Sequence, residues 1–226
     1  MTAGYWARRL LRHALLMLAG AAVVGAMAAS LGSTRAAWRL SMGTAWASLL
    51  LLGVSLVIGP LRVILRRPNP VTTDLRRDVG IWAAVLGLVH VVLGLQMHMK
   101  RRIDYFVYPP DQPHAFPLRH DLFGVASWTG LAATLVLLML LAISNDVSLR
   151  KLGTVRWKAL QRWSYALATL TLVHGAVFQV LEKRTASLVV VLGVVSFAVL
   201  VVQLAGARRV RRGGPRGPLP LAAGRV

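Results

Sequence analysis

Apolar residues fall along this chain in long unbroken blocks, and the polar residues are collected into the short intervals between them. Neither the two-residue alternation of a half-buried strand nor the polar face of a water-exposed helix recurs. The blocks cover residues 14–31, 42–60, 79–98, 122–143, 158–181 and 187–206. Each is about 18 to 22 residues long, the length an α-helix needs to cross a hydrocarbon core. The pattern predicts an all-α integral membrane protein, a bundle of six transmembrane helices.

The intervals set the organisation. Residues 1–13 are expected to be a cytoplasmic N-terminus, 14–206 the membrane domain, and 207–226 a basic, disordered cytoplasmic tail rich in Gly and Pro. The longest connection, MKRRIDYFVYPPDQPHAFPLRHD, carries aromatics and prolines suited to an interfacial loop. EKRTAS joins the last two blocks as a tight antiparallel hairpin.

Composition agrees. Hydrophobic residues make up 56% and charged residues only 15%, with mean hydropathy +0.61, against roughly a quarter charged in soluble domains. The net charge of +20 does not indicate nucleic acid, because the arginines sit between apolar blocks where topology and anionic headgroups account for them. Most of the basic residues fall on one side: Arg8, Arg9 and Arg12, then Arg62 to Arg77, then Arg150 to Arg162, then the tail. The positive-inside rule places that side, with both termini, in the cytoplasm of an inner (plasma) membrane. The absence of cysteine excludes disulfides, thiolate metal sites, iron–sulfur clusters and covalent heme attachment.

An ionisable side chain deep in a span is costly and is a functional candidate by default. Only His90, in GLVHVVLG, and His174, in LTLVHGAVF, meet that description. Without carboxylates or a relay they do not form an ion pathway. Two imidazoles on different helices at similar depth can ligate heme iron axially, and Gly87, Gly94 and Gly175 lie within a turn of them. Hydrogen bonding between helices is the competing role for both. His13 reads as an interfacial residue, His114 as a loop residue. His98 and His120 form a weaker candidate pair for a second heme or a metal.

The stretch RKLGTVRWKALQRWSYALATLTLVHGAVF resembles the ferric-reductase-like transmembrane domain, within it the MsrQ branch. TAWASLLLLGVSLVIGPLR, LRRDVGIWAAVLGLVH and LLAISND extend the similarity over about residues 43–206. The resemblance implies a six-helix protein that holds heme b and passes electrons through the membrane. His90 and His174 take the positions of the heme ligands. In the MsrQ branch the electrons reach a periplasmic enzyme that repairs oxidised methionine. Where the family has a further histidine thirteen residues before the last one, this chain has Gln161, and thirteen residues before His90 stands Arg77. One heme is therefore expected rather than two, with a flavin (FMN) or a quinone near Arg76, Arg77, Arg156, Trp157 and Gln161 on the donor side. The chain carries no nicotinamide- or flavin-binding domain motif, so a separate flavin reductase or the quinol pool would supply electrons. An extracytoplasmic protein or a small oxidant would take them. Two other readings are a stand-alone transmembrane metal or quinone reductase, and a heme-free scaffold or transporter subunit.

Overall fold

The computed structural model describes residues 3–32, 35–66, 74–97, 99, 101–111, 114–181 and 186–212. Among these, seven α-helices follow in order: α1 (Ala3–Ser30), α2 (Ala36–Ile64), α3 (Asp74–Gly94), α4 (Leu122–Ala142), α5 (Asp146–Gln161), α6 (Trp163–Leu181) and α7 (Ala186–Arg212). A 3-10 turn (Arg102–Tyr105) lies between α3 and α4. Six helical stretches are long and apolar enough to cross a membrane.

Three boundaries differ from the sequence expectation. Helix α1 begins at Ala3, so most of the N-terminal segment is helical. Helix α7 runs on to Arg212, taking in six residues of the basic tail, while 213–226 lie outside the described residues. The fifth span is preceded by a separate polar helix, α5. Asn145 caps its first turn by accepting from the Ser148 N–H at 2.8 Å, and it bends at Gly153, where φ is 69°.

Helix α2 is the hub, packing on α1, α3 and α7, while α4 packs on α6. The α2–α3 contact is a seam with a seven-residue repeat. Ser41, Ser48 and Ser55 on α2 meet Gly94, Gly87 and Gly80 on α3: a Cβ added to those glycines would stand 3.8, 3.0 and 3.6 Å from the respective serine Oγ. Small residues on both sides let the backbones approach closely in lipid. Ser48 Oγ donates to the Ala83 carbonyl at 2.8 Å and Ser55 Oγ to that of Arg76 at 3.5 Å. Other hydroxyls turn back onto their own helix, such as Thr134 onto Gly130 and Ser127 onto Phe123, which satisfies them without water. Pro60 has no N–H to offer the Leu56 carbonyl. Gln203 of α7 donates to that carbonyl at 2.8 Å instead.

Among the described residues, one carboxylate lies fully inside. Asp78 is 0% exposed and receives Arg9 at 3.3 Å and Arg12 at 3.0 Å. His13 Nε2 lies 3.4 Å from it. The Trp82 indole donates to His13 Nδ1 at 3.1 Å, which leaves the imidazole proton on Nε2, facing Asp78. His13 is thus part of the clasp that fixes α1 to α3, more than an interfacial residue. Replacing Asp78 by Ala strips the carboxylate from both guanidiniums, and losing one side of a buried pair costs about 3–5 kcal/mol. The expected outcome is a large fall in thermal unfolding temperature in detergent, with an exposed Asp111→Ala control unchanged.

Candidate heme site

His90, on α3, and His174, on α6, are brought together edge to face, with ring centres 6.2 Å apart and ring planes at 76°. Each ring is fixed from behind by a main-chain carbonyl. His90 Nδ1 is 2.9 Å from the Ser41 carbonyl oxygen and His174 Nδ1 is 2.8 Å from that of Ala126. A carbonyl only accepts, so both Nδ1 atoms carry the proton and both Nε2 atoms carry the lone pair. Ser41 Oγ, 3.2 Å away, adds a second contact to His90 Nδ1. This is the outer-shell arrangement that orients a ligating imidazole and fixes its tautomer.

Both rings line a cavity of about 320 Å³ between α2, α3, α4 and α6. Gly87, Gly94 and Gly175 line it too, and a Cβ on Gly175 would meet nothing within 4 Å. Gln179 Oε1 is buried in its wall with no partner. Gly130 of α4, which nothing in the sequence singles out, makes room for one of the rings. A Cβ there would stand 2.6 Å from His174 Nδ1.

These residues fit a heme. Each metal–imidazole bond is about 2 Å and each ring centre sits about 1 Å behind its nitrogen, so two axial imidazoles on one iron have centres about 6 Å apart. His90 and His174 would hold the iron through Nε2.

A second cavity, about 360 Å³, opens beside α5 and is lined by Arg76, Arg77, Trp157, Lys158, Gln161 and Arg162 among others. Arg77 and Gln161, the two positions thirteen residues before the histidines, thus share one chamber, and Arg156 is not among its lining residues. Ser48, Leu137, Leu167 and Thr171 line both cavities, so one layer of side chains separates them. Arg77 is ion-paired with Asp146, and the Trp157 indole donates to the Ile143 carbonyl at 3.0 Å. Gln161 Nε2 and Ser164 Oγ are buried there with no partner. Among the described residues no histidine lines this chamber, so it does not fit a second bis-imidazole heme.

Of the weaker pair, His98 lies outside the described residues. His120 sits on the 101–121 loop beside Tyr108 and His114, with ring centres 5.4 and 6.3 Å away, its Nδ1 3.1 Å from the Leu118 carbonyl. Among the described residues no group of three or more His, Cys, Asp or Glu is placed to hold a metal ion. In that loop the Arg101 guanidinium, hydrogen-bonded to Asp104 at 2.7 Å, holds the carboxyl below the usual carboxylate range.

Fold and site together describe a multi-pass membrane protein with a paired-histidine chamber. Residues 42–172, more than half of the chain, match the ferric reductase like transmembrane component family, and the chain belongs to that family. The match takes in His90 and ends two residues before His174. The chain is also 30% identical over 147 residues to the protein-methionine-sulfoxide reductase heme-binding subunit MsrQ of Azospira oryzae. That similarity covers 65% of this chain and 55% of the relative, so the chain spans about half the relative's length. No solved structure matches the chain.

Gly130→Ala tests how the site is built. The added methyl would force His174 off the Ala126 carbonyl, and purified protein is expected to carry much less heme per chain. Gly25→Ala, where a Cβ meets nothing within 4 Å, is expected to keep its full complement.

Proposed function

We propose that this chain is the heme b subunit of a transmembrane electron-transfer system, similar in role to MsrQ, and carries one heme between His90 and His174. The observation that carries the reading is the pair of imidazoles 6.2 Å apart, each with Nδ1 tied to a carbonyl. When bound, the heme supplies a one-electron iron couple inside the low-dielectric bilayer. The chain's own residues do the rest. The Ser41 and Ala126 carbonyls keep both Nε2 lone pairs turned to the iron position. Apolar lining residues such as Leu88, Leu131 and Leu137 keep water and stray oxidants out.

Electrons enter at the α5 end, the side that the distribution of arginines favours as cytoplasmic. Gln161 Nε2 and Ser164 Oγ offer hydrogen bonds to carbonyl oxygens, and Arg76, Lys158 and Arg162 offer positive charge. A flavin or a quinone has the acceptor groups this chamber would hold, one side-chain layer from the heme chamber. A flavin reductase or quinol is the donor, and an extracytoplasmic protein or small oxidant at the 101–121 end is the acceptor. The protein is thus the conduit of an oxidoreductase system rather than the whole of it.

The test is a dithionite-reduced minus oxidised visible spectrum with heme quantified per chain. Wild type is expected to show a sharp low-spin b-type band at about one heme per chain, lost in His90→Ala and in His174→Ala. Colourless protein from heme-replete cells would leave a scaffold or transporter, and two hemes would contradict the assignment of the second chamber.

A further inference from the structure

The loop between α3 and α4 roofs the paired-histidine chamber. Tyr105 and Phe106 line the cavity from above, and the buried Tyr105 donates through its hydroxyl to the Gly94 carbonyl at 2.8 Å. The strand-like pair Val107 and Leu118 closes the loop on itself, with Tyr108 N–H donating to Pro117 at 2.9 Å and Arg119 N–H to Phe106 at 2.8 Å. Arg119 locks the arrangement: its guanidinium donates to the Asp104 carbonyl at 2.7 Å and to Asp121 at 3.2 Å.

Through this roof runs a column of ring and guanidinium contacts, edge-on between His174, Phe178 and Phe123. The His174 ring touches Phe178, with centres 5.0 Å apart, and Phe178 touches Phe123 at 5.7 Å. The Arg119 guanidinium lies 5.0 Å over Phe123 and 5.3 Å over Tyr108, within cation–π range of both rings. Tyr108 stacks on His114 at 3.6 Å, and His114 is exposed. Electron tunnelling falls off steeply across gaps and less steeply through groups in contact.

We propose that this column, from His174 through Phe178, Phe123, Arg119 and Tyr108 to His114, is the electron exit, delivering electrons at its His114 end. The inference rests on the heme reading above. A heme held by His90 and His174 would supply one electron from its ferrous state, and a one-electron oxidant on the loop would gain it, leaving the iron ferric. No bond is made or broken and no proton moves. The intervening groups position and couple; none is consumed.

The cysteine-free chain permits single-site labelling. His114→Cys and Phe116→Cys, both at exposed loop positions, would each carry a photo-activated ruthenium-bipyridyl oxidant. Laser-flash absorption then times electron transfer from reduced heme to the label. The expected result is faster transfer to position 114 than to 116. Tyr108→Leu in the 114-labelled protein is expected to slow it to the level of the 116 label, with heme content and midpoint potential unchanged. Trp6→Leu, an exposed aromatic on α1 and off the column, is expected to leave it unaltered. Equal rates from the two labels, or a 114 rate indifferent to Tyr108→Leu, would overturn the proposal. Protein without heme would overturn the underlying function instead, and its absorption spectrum shows this before any flash.

Discussion

Two imidazole N–H groups donating to two helix carbonyls are the constraint on which the rest of this molecule turns. In a bilayer there is no water to complete a histidine's hydrogen bonds, so each ring must find its partner in the protein. His90 finds the Ser41 carbonyl of α2 and His174 the Ala126 carbonyl of α4. Each bond crosses between helices, so the two together fix α3 against α2 and α6 against α4. Those are also the two most extensive pairings among the described helices. Packing and chemistry are thereby one arrangement: the glycine–serine seam that brings α3 onto α2 sets the height of His90, and Gly130 makes room for His174 on α4. With both Nδ1 atoms spent on carbonyls, both Nε2 atoms are committed to whatever lies between them.

The charged residues are arranged around that centre. Asp78 is held by Arg9 and Arg12, clasping α1 at the α5 end of the bundle. The neighbouring Arg77 pairs with Asp146 and so joins α3 to the start of α5, beside the second chamber. At the opposite end Arg119 plays the corresponding part, binding the roof loop to the start of α4. Each end of the histidine chamber is thus closed by an arginine-centred network, and the interior between them is lined by apolar and small polar side chains.

Much of this is legible in the sequence. Hydropathy alone marks the six spans, because charge is too costly in lipid for them to be interrupted, although it does not fix where each helix begins and ends. The isolation of His90 and His174 marks them as the candidates, and the thirteen-residue spacing draws Arg77 and Gln161 to one level, where the second chamber holds them both. The seven-residue repeats Ser41–Ser48–Ser55 and Gly80–Gly87–Gly94 are also there to be read, but hydropathy does not distinguish Ser and Gly from their neighbours. Other features are not readable. The carbonyls of Ser41 and Ala126 are like those of every peptide unit, and only the fold selects these two. Gly130 is meaningful only once His174, on another helix, lies against it. Asp78 sits at a span edge where a solvated role is the default, and its partners come from residues 66 to 69 positions earlier. The separate α5 merges into the fifth span on hydropathy because its basic, amphipathic stretch runs into the apolar block without a proline to mark the break.

If one iron is held by both histidines at once, electron paramagnetic resonance of the ferric protein, combined with imidazole rescue, will show it. Wild type is predicted to give a low-spin, bis-imidazole signal. His90→Gly and His174→Gly, where heme is retained, should shift to high spin, and added free imidazole should restore the low-spin signal in each. A low-spin signal that persists in either variant without imidazole would show that the iron has another ligand, and would contradict the paired-histidine site.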